Sequence, residues 1–255
     1  MMKKTDVCAL WGNWPFRRIS NNTIADVQAM HARYGITGGC VASLESIFYQ
    51  DPMESEEQLA LALKGTGYRQ VITVNPTLPA FDEMIDEAVE RFDVAAVKIV
   101  PGYHGYSLTD LCMETLHQVL RRHNLPLYAV RRIEDTRLNY LMRPREPGDE
   151  EFLALAKAMP DVRILFCGFA AWEAVRISAS TRTLPNVYFE TSLFKIAVGD
   201  MPATAASIGE DHLLFGSSYP FYVMKTQIMN LEEAGLREQA ERKIYAENAE
   251  AFFAK

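Results

Sequence analysis

The sequence predicts a single (β/α)8 barrel over residues 1–255, on three observations. Eight short runs of β-branched and large apolar residues alternate with segments of helical periodicity. Most of these runs lack the in–out alternation of a strand with one wet face, which suits strands covered on both faces in a parallel sheet. A length of 255 residues is usual for a closed barrel and calls for no second domain.

In chain order the strands are expected at residues 6–11, 39–44, 70–75, 94–100, 125–131, 162–167, 186–192 and 212–217. The segments between them read as helices. Residues 81–92 place Met84, Ile85, Ala88, Val89 and Phe92 on one stripe. Residues 108–122 repeat the spacing with Leu108, Leu111, Cys112, Thr115, Leu116 and Val119, and Thr109 or Asp110 is the expected cap. The rival architecture is a doubly wound open sheet, which when it binds a dinucleotide places a glycine-rich turn after its first strand. Here that turn reads Trp11-Gly12-Asn13-Trp14-Pro15 and cannot cradle a phosphate.

Composition narrows the partners. The chain is 49% hydrophobic and 23% charged, with a formal net charge of −7. An acidic balance argues against nucleic acid or an anionic membrane as partner. Cys8, Cys40, Cys112 and Cys167 are scattered and form no CxxC pair, so disulfides are not expected in a cytosolic protein. No apolar leader follows the N-terminal lysines and no stretch is long enough to span a bilayer, so a cytoplasmic protein is expected.

In such barrels the working groups sit at the C-terminal ends of the strands. Strand 1 runs into Trp11-Gly12-Asn13-Trp14-Pro15-Phe16 and strand 4 into Lys98-Ile99-Val100-Pro101-Gly102-Tyr103-His104-Gly105-Tyr106. Strand 8 runs through Leu214-Phe215-Gly216-Ser217-Ser218-Tyr219-Pro220, and the chain closes with Glu247-Asn248-Ala249. In this order and spacing, these pieces resemble the metal-dependent amidohydrolase superfamily, in its aminocarboxymuconate decarboxylase-like branch. The resemblance runs nearly end to end. It implies the barrel, and it implies a metal held by His-x-His on strand 1, histidines on strands 5 and 6, and an aspartate on strand 8. Those positions hold Cys8 and Leu10, Val130, Cys167-Gly168 and Ser218. The expectation is therefore a barrel with no metal and no other cofactor.

The polar residues left at the strand ends supply the candidates. Lys98 shares parity with Val100 and faces the barrel axis if Val100 does. A lysine there contacts an anion, acts as a nucleophile or Schiff-base amine, or pairs with a strand-end acid such as Glu190. His104 is the candidate for proton transfer, in a loop that Tyr103 and Tyr106 either fold over a ligand or pack for its own sake. Arg131, Arg132, Glu134, Asp135 and Arg137 crowd the end of strand 5 as an acid-binding set or a salt-bridge network. Trp11, Asn13 and Ser218 complete the expected binding wall. The substrate class expected is a small organic acid, hydrolysed or decarboxylated. The alternative is a binding or regulatory protein on the same scaffold. The loop Ile47-Phe48-Tyr49 suits either a contact between copies of the chain or packing over its own barrel.

Overall fold

A computed structural model describes residues 2–135, 137, 142–195 and 200–254. Its strands are β1 (Thr5–Trp11), β2 (Gly38–Ser43), β3 (Arg69–Val74), β4 (Val94–Ile99), β5 (Leu127–Val130), β6 (Ile164–Cys167), β7 (Val187–Glu190) and β8 (Leu213–Leu214). They pair in parallel in sequence order, β1 to β8. The helices crossing between them include α1 (Ile24–Arg33), α2 (Pro52–Leu63), α3 (Phe81–Arg91), the single turn α4 (Pro101–His104), α5 (Cys112–His123), α6 (Asp149–Ala158), α7 (Ala171–Thr181) and α8 (Met201–Ile208). Together they form the (β/α)8 barrel.

The barrel closes between β1 and the segment following β8. Val7 N donates to Phe215 O at 3.0 Å, Ser218 N to Cys8 O at 2.9 Å and Leu10 N to Tyr219 O at 2.8 Å. Fully buried Asp6 reinforces the seam: Oδ1 accepts Cys8 N and Ser217 N at 3.0 Å each, and Oδ2 accepts the Ser217 hydroxyl. Oδ2 also lies 3.0 Å from His31 Nε2 on α1, and His31 Nδ1 lies 2.7 Å from Tyr68 Oη.

Alternation along the strands sorts the apolar residues into two cores. One set, including Leu10, Cys40, Ala42, Ala96, Tyr128, Val130, Leu165, Cys167 and Leu214, fills the barrel interior. The other, including Val41, Val97, Ile99, Ala129, Phe166, Phe189 and Leu213, faces the helices. In that outer layer Phe152 of α6 meets Phe166 at 4.9 Å between ring centroids, and Phe189 meets Phe166 at 5.5 Å. Burying each such ring stabilises the fold by about 2–3 kcal/mol.

Two local expectations change. The helix expected over 108–122 begins at Cys112, and neither Thr109 nor Asp110 caps it. Asp110 Oδ2 instead accepts Ser107 N at 2.9 Å, closing a turn that ends the loop after β4. The strand expected over 212–217 keeps only Leu213–Leu214, because Phe215 N turns to Ile244 O in the π-helical segment Lys243–Glu247. The loop after β2 packs over its own barrel: Ile47 is buried, and the Phe48 ring lies 5.2 Å from Trp14 and 5.7 Å from Tyr103. Among the described residues no helix is long and apolar enough to cross a membrane.

Candidate functional site

The strand ends build a two-chambered site. The inner chamber, about 30 Å³, has Cys8, Lys98, Tyr128, Cys167, Glu190 and Ser218 among its walls. It has room for about one or two waters. The β1–β2 register shifts between Asp6 and Ala9, and across that bulge the sequence neighbours Val7 and Cys8 both pack on the interior core. Lys98 enters from β4, in register with Tyr128 of β5, as its parity predicts. Glu190 ends β7 and Cys167 ends β6.

Lys98 is 4% exposed, and among the described residues its ammonium makes no direct hydrogen bond. Burial pushes its pKa down, while the nearby Cys8, Cys167, Glu56 and Glu190 oppose that shift. Glu190 is fixed by three donors: Gly168 N at 2.9 Å and Ser192 Oγ at 3.0 Å reach Oε1, and Ser192 N reaches Oε2 at 2.6 Å. Burial still raises its pKa above the ordinary carboxylate value. Burial also raises the Cys167 thiol well above its ordinary range. The Cys8 and Cys167 sulfurs and a Glu190 oxygen all lie within 4.8 Å of one another, and Cys8 Sγ is 3.6 Å from Ser218 Oγ.

Two glycines make this approach possible. Gly168 takes φ +74°, and a Cβ there would lie 2.1 Å from Arg132 O. A Cβ on Gly216 would lie 2.7 Å from Glu190 Oε2 and 3.0 Å from Cys8 Cβ.

Val130, Arg132 and Ile133 line the inner chamber and also an outer one of about 280 Å³. Phe16, Val100, Tyr103, Met142 and Pro144 give the outer chamber apolar walls, and Arg131, Glu134 and Glu146 give it polar ones. The arginines here are already paired. Arg132 bridges Glu146, with contacts of 2.9 and 2.6 Å, and Glu173, and Arg131 reaches Asp149 at 2.5 Å. Glu134 accepts Trp14 Nε1 at 2.9 Å and Arg17 Nε at 2.8 Å.

The expected site residues therefore divide. Lys98, Glu190 and Ser218 meet in the inner chamber, and Tyr103, Arg131 and Glu134 line the outer one. Trp11, Asn13, His104, Tyr106 and Arg137 line neither. Asn13 is tied to Glu45 Oε1 through N at 2.8 Å and Nδ2 at 2.7 Å. His104 places Nε2 2.9 Å from Ile47 O, and burial lowers its pKa. Tyr106 is buried beside it in the outer core, Trp11 is half-buried, and Arg137 is exposed and paired with Asp135. Arg132, one of the strand 5 arginines, lines both chambers. Cys8 and Cys167 join the inner chamber at two of the positions where the resemblance places metal ligands.

The amidohydrolase family model matches residues 3–255. A search of curated proteins finds no match. Among solved structures, the chain is similar to the uncharacterized TIM-barrel protein Bb4693 from Bordetella bronchiseptica. The TM-score is 0.76 at 15% identity, with 99% of each chain covered. It is similar to 2,6-dihydroxybenzoate decarboxylase from Rhizobium, with a TM-score of 0.72 at 14% identity and 99% of each chain covered. It is also similar to dihydroxybenzoic acid decarboxylase from Polaromonas sp. JS666, solved with bound manganese and 2-nitroresorcinol. There the TM-score is 0.72 at 13% identity, covering 99% of this chain and 97% of that one. At these identities the likeness is one of fold.

Manganese prefers carboxylate, carbonyl and water oxygens. Leu10 and Val130 offer no donor, and the cluster at the strand ends is two thiols and one carboxylate. The residues present do not fit a hard, oxygen-seeking ion. The match over nearly the whole length nonetheless fixes the kinship: the chain belongs to the amidohydrolase family.

Proposed function

We propose that the protein takes a small aromatic acid, with its ring in the outer chamber and its carboxylate directed through the opening beside Val130 and Ile133 toward Lys98. One observation carries this reading. An apolar-walled cavity of about 280 Å³ adjoins a chamber holding a buried ammonium with no hydrogen-bond acceptor among the described residues. A cation so placed is costly alone and gains from an anionic ligand. Arg131 and Arg132 shape the wall, since Glu146, Asp149 and Glu173 already neutralise them. The named decarboxylases of similar fold act on aromatic acids of this size, which favours the same substrate class here.

Decarboxylation is the reaction that suits the geometry. The C–C bond to the carboxylate breaks, carbon dioxide leaves, and the electron pair stays on the ring carbon. Lys98 is the counter-ion to that developing charge and the proton donor to it. His104, held against Ile47 outside both chambers, has no part in this step. The small inner chamber, with Glu190 pinned by three hydrogen bonds, favours a second reading, binding without turnover.

Calorimetric titration with 2-hydroxybenzoate and 2,6-dihydroxybenzoate, paired with an assay for released carbon dioxide, separates the two. Binding with release supports the enzyme, and binding without release supports the second reading. Lys98→Met should weaken binding at least tenfold, about 1.4 kcal/mol. Wild-type affinity in that variant would remove Lys98 from the site.

A further inference from the structure

We propose that Cys8, Cys167 and Glu190 form a site for a thiophilic divalent cation of the zinc type, in place of the hard-ion chemistry their barrel position would otherwise carry. Three strands, β1, β6 and β7, each deliver one donor atom, and the three atoms lie within 4.8 Å of one another. A tetrahedral zinc with sulfur at about 2.3 Å sets two thiolates about 3.8 Å apart. The donor atoms, within 4.8 Å of one another, would draw together toward that spacing on binding.

Three further features fit a cation. Glu190 is held from behind by Gly168 N, Ser192 N and Ser192 Oγ, and Oε2 carries only the Ser192 N bond among the described residues, so a lone pair remains for a metal. Gly216 lacks the Cβ that would lie 2.7 Å from Glu190 Oε2 and 3.0 Å from Cys8 Cβ, so both donors can approach each other across it. Lys98 supplies the charge balance. Two thiolates and a carboxylate around a divalent ion sum to −1, and the buried ammonium beside them brings the cluster to zero. Without the ion, two neutral thiols, the Lys98 ammonium and the Glu190 carboxylate also sum to zero. Binding therefore changes no net charge: the ion enters, and each S–H gives its proton to solvent. No electron moves. The inner chamber leaves space for a water as the remaining ligand.

Donor softness sets the selectivity. Thiolates favour zinc, cobalt and cadmium over manganese, magnesium and calcium. The proposal shares Lys98 and the inner chamber with the acid-binding reading, but its donors and its readout need no organic ligand, so the two fail separately.

The test uses reduced, chelator-treated full-length protein titrated with Co²⁺ and followed by absorption. The expected result is one equivalent of cobalt with intense thiolate-to-metal charge transfer in the near ultraviolet, displaced by one equivalent of Zn²⁺ and untouched by excess Mn²⁺. Cys8→Ser and Cys167→Ser should each diminish that band and weaken zinc binding at least tenfold. Glu190→Gln should keep the band at lower affinity. Absence of the band in the wild type overturns the proposal outright, whether or not any variant folds. So does a band that survives in the folded Cys8→Ser/Cys167→Ser double variant, which would place the ion at other sulfurs. Mn²⁺ competing on equal terms with Zn²⁺ would overturn the selectivity.

Discussion

Gly216 lacks a side chain where two neighbours need the space. A Cβ there would meet Glu190 Oε2 at 2.7 Å and Cys8 Cβ at 3.0 Å, and Glu190 is pinned by its own hydrogen bonds. Gly216→Ala should destabilise the protein by about 1–3 kcal/mol, the usual cost of forcing a methyl group into packed surroundings. Urea unfolding at pH 7 measures it, and a change under about 0.5 kcal/mol would mean that the segment after β8 shifts freely. At this scale the sequence is readable only in part. The inward aim of Lys98 follows from strand parity alone. The convergence of Cys8 with Cys167 does not, since it exists only once a sheet of eight strands has closed. Arg131 and Arg132 look like a ligand fork in isolation. Their partners Glu146, Asp149 and Glu173 lie 14 to 41 residues further on and decide the matter.

The elements around the outer chamber hang on one carboxylate. Glu151, in the first turn of α6, reaches back to Gly148 N at 3.1 Å and accepts Ser107 Oγ at 2.5 Å and Leu108 N at 3.2 Å. Arg145 clasps it from the approach to the helix, so one side chain joins the loops after β4 and β5. The Arg145 hydrogen bonds, aided by Ser107, Gly148 and Leu108 against an opposing effect of burial, hold its pKa at about 2. A folded-state pKa below the ordinary value of 4.5 gives stability that is complete above pH 4.5 and lost as pH falls toward 2. Glu151→Gln should therefore cost about 1 kcal/mol at neutral pH, a modest figure because solvent screens the half-exposed Arg145. The difference between variant and wild type should shrink between pH 5 and 2. A difference that stays constant with pH would assign the role of Glu151 to packing. The same carboxylate explains why the helix expected over 108–122 starts late. Ser107 and Leu108 are engaged by Glu151, and Asp110 is spent on the turn, so the first regular helical turn forms only from Cys112. Helical periodicity registers apolar spacing and is blind to a partner 43 residues away.

For the whole molecule, the alternating pattern was enough to give the class of fold, because each strand and helix announces itself locally. The closing seam does not, and it rests on Asp6. This one buried carboxylate accepts Cys8 N, Ser217 N and the Ser217 hydroxyl and faces His31 Nε2, so it joins β1, the end of β8 and α1 at a single point. Ser217, Asp6 and His31 are the residue types of a hydrolytic triad, yet the acid stands between the other two and all three are fully buried. That order gives the serine no base and makes the trio a clasp. Asp6→Ala would leave two buried donors on Ser217, the part-buried Cys8 N and a histidine nitrogen without this acceptor, at a cost of about 3–5 kcal/mol. Against a typical domain stability of about 5–15 kcal/mol, that is a large share. Asp6→Asn retains one carbonyl acceptor and should cost less than the alanine change. Far-ultraviolet dichroism during urea unfolding would rank the two. If Asp6→Ala unfolds at the wild-type midpoint, the backbone bonds from Val7, Leu10 and Ser218 close the barrel unaided. If it unfolds early while Asp6→Asn stays close to wild type, the carboxylate's hydrogen bonds, more than its charge, hold the two ends of the sheet together.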